Sequence, residues 1–122
     1  MSDLNLVDSS RCLEHLTDSD RASLFSDAIL KTEKLIVPVI SIYEVVKRIL
    51  REASDEHANK AIHAMTKGRV IDADLSIALG AVRFRLPMAD SLIYATAQRF
   101  DATLWTQDED FKNLPGVQYF PK

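Results

Sequence analysis

Cysteine is almost absent from this chain: one thiol, Cys12, has no partner for an internal disulfide, and no CxxC or Cys/His ligand spacing exists. A disulfide scaffold and a zinc ribbon are excluded, and a reducing cytoplasm is the expected compartment. Glycine and proline are scarce, at 3 and 4 of 122 residues, which excludes collagen-like and low-complexity chains. There is no glycine-rich phosphate loop and no GxSxG nucleophile turn. Long apolar runs are missing too. The longest, residues 35–40, contains Pro38 and falls far short of the ~20 residues that span a bilayer. The first, residues 4–7, contains Asn5 and stops at Asp8, so it does not read as a signal peptide. No membrane association is expected, and residues 1–122 are read as one domain.

An excess of positive charge is also lacking. Fifteen basic residues face eighteen acids, a net of −3, so any polyanion must be met by local groups rather than by bulk charge. The charge is unevenly placed. Residues 1–30 hold six acids against two bases, residues 31–85 ten bases against seven acids, and the remainder five acids against three bases. What the chain does have is apolar material, 47% of its residues, enough for a core at this length.

That material alternates between short β-branched runs and helical periodicity. Residues 4–7 predict a strand that opens at Asp8 into a helix capped by Ser9 or Ser10. A second helical stretch follows Asp18 or Ser19. Residues 35–38 predict the second strand. Ser41 is expected to cap the clearest amphipathic helix, on which Ile42, Val45, Val46, Ile49 and Leu50 form the inward face. A helix over 55–67 turns Ala58, Ala61, Ile62 and Met65 inward and ends on Gly68 as a C′ glycine. Further strands are predicted at 69–71, 103–106 and 117–120, with helices over 72–84 and from Ala89 to Phe100. Strands alternating with helices imply βαβ units and a mostly parallel sheet covered on both faces.

Sites in such a sheet form beyond the carboxyl ends of its strands. Asp8 stands at one such end and Asp108 just past another. Taken alone, Asp8 is as well explained as a helix cap. On the helical wheel Glu44 lies roughly 190° from the centre of its helix's apolar face, where it would be a solvated partner of Arg48 worth ~0.3 kcal/mol. Asp90 opens a helix, where the macrodipole favours a carboxylate, and the acids around Asp108 read as a solvated loop. Four separate acid positions nonetheless fit a hard divalent cation, because Mg²⁺ takes oxygen ligands and pairs with substrate phosphate. His57 and His63 face different directions and read as surface residues, and Cys12 as a core thiol.

Four segments carry a more specific pattern: Asn5-Leu6-Val7-Asp8-Ser9-Ser10, Val39-Ile40-Ser41-Ile42-Tyr43-Glu44-Val45, Leu86-Pro87-Met88-Ala89-Asp90-Ser91-Leu92-Ile93, and Leu104-Trp105-Thr106-Gln107-Asp108-Glu109-Asp110-Phe111. In order and spacing they resemble the PIN-domain ribonucleases, and among these the VapC-type toxins of prokaryotic toxin–antitoxin pairs. The resemblance covers essentially the whole chain. It implies a three-layer α/β/α sandwich with a mostly parallel central sheet, binding Mg²⁺ or Mn²⁺ and hydrolysing RNA phosphodiesters. By position Asp8, Glu44, Asp90 and Asp108 are the four catalytic acids. Asp8, Asp90 and Asp108 would hold the metal, with Asp110 a neighbour, and the final motif offers either Asp108 or Asp110 to it. Ser10 and Thr106 match hydroxyls that orient the carboxylates. Arg48, Arg51, Arg83 and Arg85 are the candidate RNA contacts. An antitoxin protein and homodimerisation are further implications. The stretch from Asp74 to Asp90 leaves room for one helix where a longer excursion is usual. The alternative from another class is a PIN-like binding module without turnover. A phosphatase of the DxD type is disfavoured by Asp8-Ser9-Ser10.

Overall fold

The computed structural model describes residues 3–8 and 32–121. The expectations for Ser9, Ser10, Cys12 and the first two helices lie outside the described residues. The elements are β1 (Asn5–Val7), β2 (Ile36–Pro38), α1 (Val39–Glu52), α2 (Asp55–Met65), β3 (Arg69–Ile71), α3 (Leu75–Ala81), α4 (Met88–Arg99), β4 (Thr103–Thr106) and β5 (Val117–Tyr119). Short 3₁₀ turns lie at Thr32–Lys34 and Glu109–Phe111. Every strand pairing is parallel. β4 lies between β1 and β5, β2 pairs with β3, and an Asn5–Leu35 bridge joins the two groups into the order β3-β2-β1-β4-β5.

The two-residue period of the strands sorts their side chains into two cores. Leu6, Ile36, Ile71 and Leu104 face α3 and α4, packing with Ile77, Ala81, Ile93, Tyr94 and Phe111. Val7, Leu35 and Val37 face the opposite way, against Val45 and Ile49 of α1 and Ala58, Ala61 and Met65 of α2. Helices therefore cover both faces of a parallel sheet, in three layers.

Six local expectations need correction. α1 begins at Val39 directly after Pro38, whose fixed φ suits the residue before a helix; Ser41 lies inside the first turn and is buried rather than capping. The buried stripe of α1 is Ser41-Val45-Ile49, and Leu50 is exposed. On this wheel Glu44 is about 100° from the buried centre rather than opposite it. Arg48 bonds Glu52, 3.4 Å away, one turn further on. Ile62 is likewise more exposed than its spacing implies. α2 is capped by Ser54 and stops at Met65, so Gly68 is not its C′ residue. A Cβ on Gly68 would meet Leu35 O and Val37 Cγ2 at 3.0 Å, so the absence of a side chain there eases the close approach of β3 to β2. The helix expected over 72–84 is confined to α3, because the Asp74 side chain accepts from Ile77 N and fixes its start. α4 ends with Asp101 in the left-handed region (φ 52°), while Ala102 N donates to Ala97 O at 2.8 Å, turning the chain into β4.

Candidate metal centre and active site

Three elements bring acids to the carboxyl edge of the sheet. Asp8 follows β1 and is buried, its amide donating to Trp105 O at 3.0 Å. Asp90 lies in the first turn of α4. That turn is anchored by buried Ser91, whose Oγ donates to Leu86 O at 3.1 Å and whose amide donates to Pro87 O at 2.9 Å. Asp108 and Asp110 follow β4. Asp110 N donates to Asp108 Oδ1 at 2.9 Å, closing the turn, and fully buried Phe111 pins that turn to the core beneath it.

Thr106 ties the two strand ends together. Its hydroxyl donates to Asp8 Oδ2 at 2.8 Å and accepts from Asp108 N at 2.9 Å. One buried side chain thus orients one acid directly and the backbone of another. The donor and acceptor capacity of a hydroxyl is what this double role requires. Of the hydroxyls expected to orient carboxylates, Thr106 bonds Asp8, and Ser10 lies outside the described residues.

Carboxylate oxygens of Asp90, Asp108 and Asp110 lie within 4.8 Å of one another. The Asp90 carboxyl is pushed up to about 7, first by desolvation and then by the charges of Asp108, Asp8, Glu44 and Asp110. All four sequence-derived acids, and Asp110 with them, therefore share one electrostatic neighbourhood. Asp110, expected as a neighbour of Asp108, has a carboxylate oxygen within 4.8 Å of those of Asp108 and Asp90. Glu44 reaches this neighbourhood because α1 is rotated as described above. Hard oxygen donors crowded until one holds its proton near neutrality fit a divalent cation, which would relieve the repulsion.

The four candidate RNA-binding arginines are all exposed. Arg48 and Arg51 lie one and two turns along α1 from Glu44, and Arg83 and Arg85 precede α4. Sequence reasoning misses Gln107. Its neighbours make it read as part of an acidic loop, yet it is 2% exposed and neither amide atom has a hydrogen-bond partner among the described residues. The only sequence signal is its register: residues alternate across β4, so Gln107 falls on the face opposite Thr106.

The sequence has no match among curated proteins. Solved structures of similar fold include a toxin–antitoxin complex from Klebsiella pneumoniae, with a TM-score of 0.83 at 21% identity, covering 97% of this chain and 99% of that one. FitAcB from Neisseria gonorrhoeae gives 0.75 at 18% identity, covering 97% and 98%. A VapC toxin from Mycobacterium tuberculosis, described as cleaving the sarcin–ricin loop, gives 0.74 at 15% identity, covering 95% and 98%. The PIN domain model matches residues 6–117, a span that includes every acid of the cluster, and the chain belongs to the PIN domain family.

Proposed function

We propose that this protein is a metal-dependent endoribonuclease, the toxin of a toxin–antitoxin pair. The observation that carries the reading is the convergence of Asp90, Asp108 and Asp110 at one edge of a PIN fold, with the charges of Asp8 and Glu44 acting on Asp90. The neighbours described as a toxin–antitoxin complex and a toxin support the assignment to that group.

Asp8, Asp90 and Asp108 would hold Mg²⁺ or Mn²⁺, with Glu44 and Asp110 completing the acidic wall. The cation would lower the pKa of an attacking water and offset charge developing on the phosphate. Thr106 keeps Asp8 and Asp108 in fixed relation, so that no reorganisation is needed when phosphate arrives. The α4 N-terminus adds positive potential behind Asp90. Arg48, Arg51, Arg83 and Arg85 supply the phosphate contacts that a net charge of −3 does not.

Two protein partners complete the reading. The first is a cognate antitoxin. The second is another copy of this chain, meeting it through α3. Leu75, Leu79 and Val82 are all more than half exposed, and no charge interrupts residues 75–82. Asp72 and Asp74 flank one end of this face and Arg83 and Arg85 the other, so two copies related by a twofold axis would pair acid with base.

The test is cleavage of RNA with and without Mg²⁺. Asp8→Asn, Asp90→Asn and Asp108→Asn should each lose about 100-fold or more while remaining folded, since even outer-shell changes at metal sites cost 10–100-fold. Full metal-dependent cleavage by Asp8→Asn would overturn the assignment, and absence of cleavage by the unaltered protein would favour the binding module.

A further inference from the structure

We propose that Tyr43 is a stacking platform for a nucleobase at the rim of the acidic cleft, with Lys47 and Arg51 meeting the adjoining phosphates of a single-stranded RNA. The inference rests on the nuclease reading above and names the form of substrate that site accepts.

Tyr43 is 56% exposed, whereas every other aromatic ring among the described residues is buried or half-buried. It immediately precedes Glu44 on α1. Tyr43, Lys47 and Arg51 recur every four residues and form one exposed stripe about 12 Å long. Glu44 and Arg48 run beside it on the flank nearer the core. The two glutamates of α1 do not neutralise the stripe. Glu44 acts on Asp90, Glu52 bonds Arg48, and among the described residues no carboxylate lies within ion-pair distance of Lys47 or Arg51.

The position of Lys47 leaves the ring usable. Its Nζ donates to Tyr43 Oη at 3.2 Å and lies 5.3 Å from the ring centroid. It is therefore nearer the hydroxyl end than the centre, and the faces of the ring are not covered by the ammonium. A base can stack there while Lys47 remains within reach of the phosphate attached to it.

An aromatic face interleaved with cations is the arrangement by which proteins hold single strands, because every base has a π face and every nucleotide a phosphate. In a duplex the base faces are already occupied by their neighbours, so this platform selects unpaired RNA or a base that has left its stack. Exposed Val39 and Leu50 flank Tyr43 on the side away from Glu44 and would suit an apolar partner, whereas on the side of Glu44 the ring continues into two cations, Lys47 and Arg51, which suit phosphates.

The experiment is steady-state cleavage of short single-stranded oligoribonucleotides by the full chain in Mg²⁺, comparing the unaltered protein with Tyr43→Ala and Tyr43→Trp. Each is assayed on an intact oligonucleotide and on a series with one abasic nucleotide moved along it. Tyr43→Ala should raise KM by about 5- to 10-fold with kcat within about twofold, and Tyr43→Trp should restore KM. At one position beside the scissile phosphate the abasic substitution should remove the difference between the unaltered protein and the Tyr43→Ala variant, since the same contact cannot be lost twice. Equal KM values for the unaltered protein and Tyr43→Ala, or a penalty that persists at every abasic position, would overturn the platform while leaving the nuclease reading intact. Loss of a protein partner by Tyr43→Ala with unchanged KM for RNA would likewise overturn it. Failure of the unaltered protein to cleave any RNA would overturn both.

Discussion

Asp90 carries the strain of the site, since its carboxyl is both desolvated and surrounded by four other acids. In the unfolded chain it releases its proton near pH 3.8, whereas the folded, metal-free chain holds it to about 7. Between these values the folded state binds more protons, so stability is lost as pH rises. The melting temperature of the metal-free protein should fall between about pH 4 and pH 7, and Asp90→Asn should flatten that fall. Millimolar Mg²⁺ should raise the melting temperature by roughly 5 °C or more at pH 8 and by less at pH 5, because binding requires the ionised acid. Thr106 gives a second prediction. Thr106→Val keeps the shape but removes the donor to Asp8 and the acceptor for Asp108 N. It should destabilise the fold by about 1–3 kcal/mol, measured in urea, and lower metal-dependent cleavage by about 10-fold or more; Thr106→Ser should recover most of both. Of these two residues, Asp90 was legible as the opening of a helix. Its perturbation was not, because it arises from burial in the folded chain and then from acids up to 82 positions away in sequence.

At the scale of elements, β3 and β4 have the bounds that their β-branched runs predict, and α4 and β2 differ only at their ends. Errors cluster where a neighbour overrides local pattern. Gly68 has the sequence context of a helix stop, yet its smallness serves the approach of β3 to Leu35 and Val37. Gly68→Ala should therefore cost about 1–3 kcal/mol, since the nearest atom is backbone and cannot rotate away. Gly80, in the last turn of α3, is the opposite case. A Cβ there would meet only Ala95 Cβ at 3.9 Å, an ordinary contact, so Gly80→Ala should stabilise by up to about 1 kcal/mol through helix propensity. Paired denaturation curves would check both signs. The rotation of α1 was not legible either. Five apolar residues admit more than one inward face, and packing on the sheet selected Ser41, Val45 and Ile49.

For the whole molecule, the apolar exposed side of α3 predicts the state of assembly. The unaltered chain should sediment as a dimer at micromolar concentration. Leu79→Lys should shift it to monomer by placing a cation on an otherwise uncharged face, with little change in melting temperature beyond that due to dissociation. An unaltered chain that sediments as a monomer would remove α3 as the contact. No helix among the described residues is long and apolar enough to cross a membrane, as the scarcity of apolar runs implies.

The sequence by itself determined the alternation of strands and helices, the parallel sheet with both faces covered, and the placing of Asp8 and Asp108 beyond strand ends. These follow from side-chain periodicity and chain punctuation, which are local. It could name Glu44 only through a family resemblance, because spacing alone turned that residue to solvent. The tertiary structure decided that Glu44 shares a field with Asp90, that Asp110 stands with Asp108, and that Thr106 ties two strands together. Those are distances between residues remote in sequence, set by how helices seat on the sheet. The net charge of −3 has the same origin, since several of its acids gather at one edge of the sheet, where they could hold a cation, while Lys47, Arg48 and Arg51 lie exposed along α1.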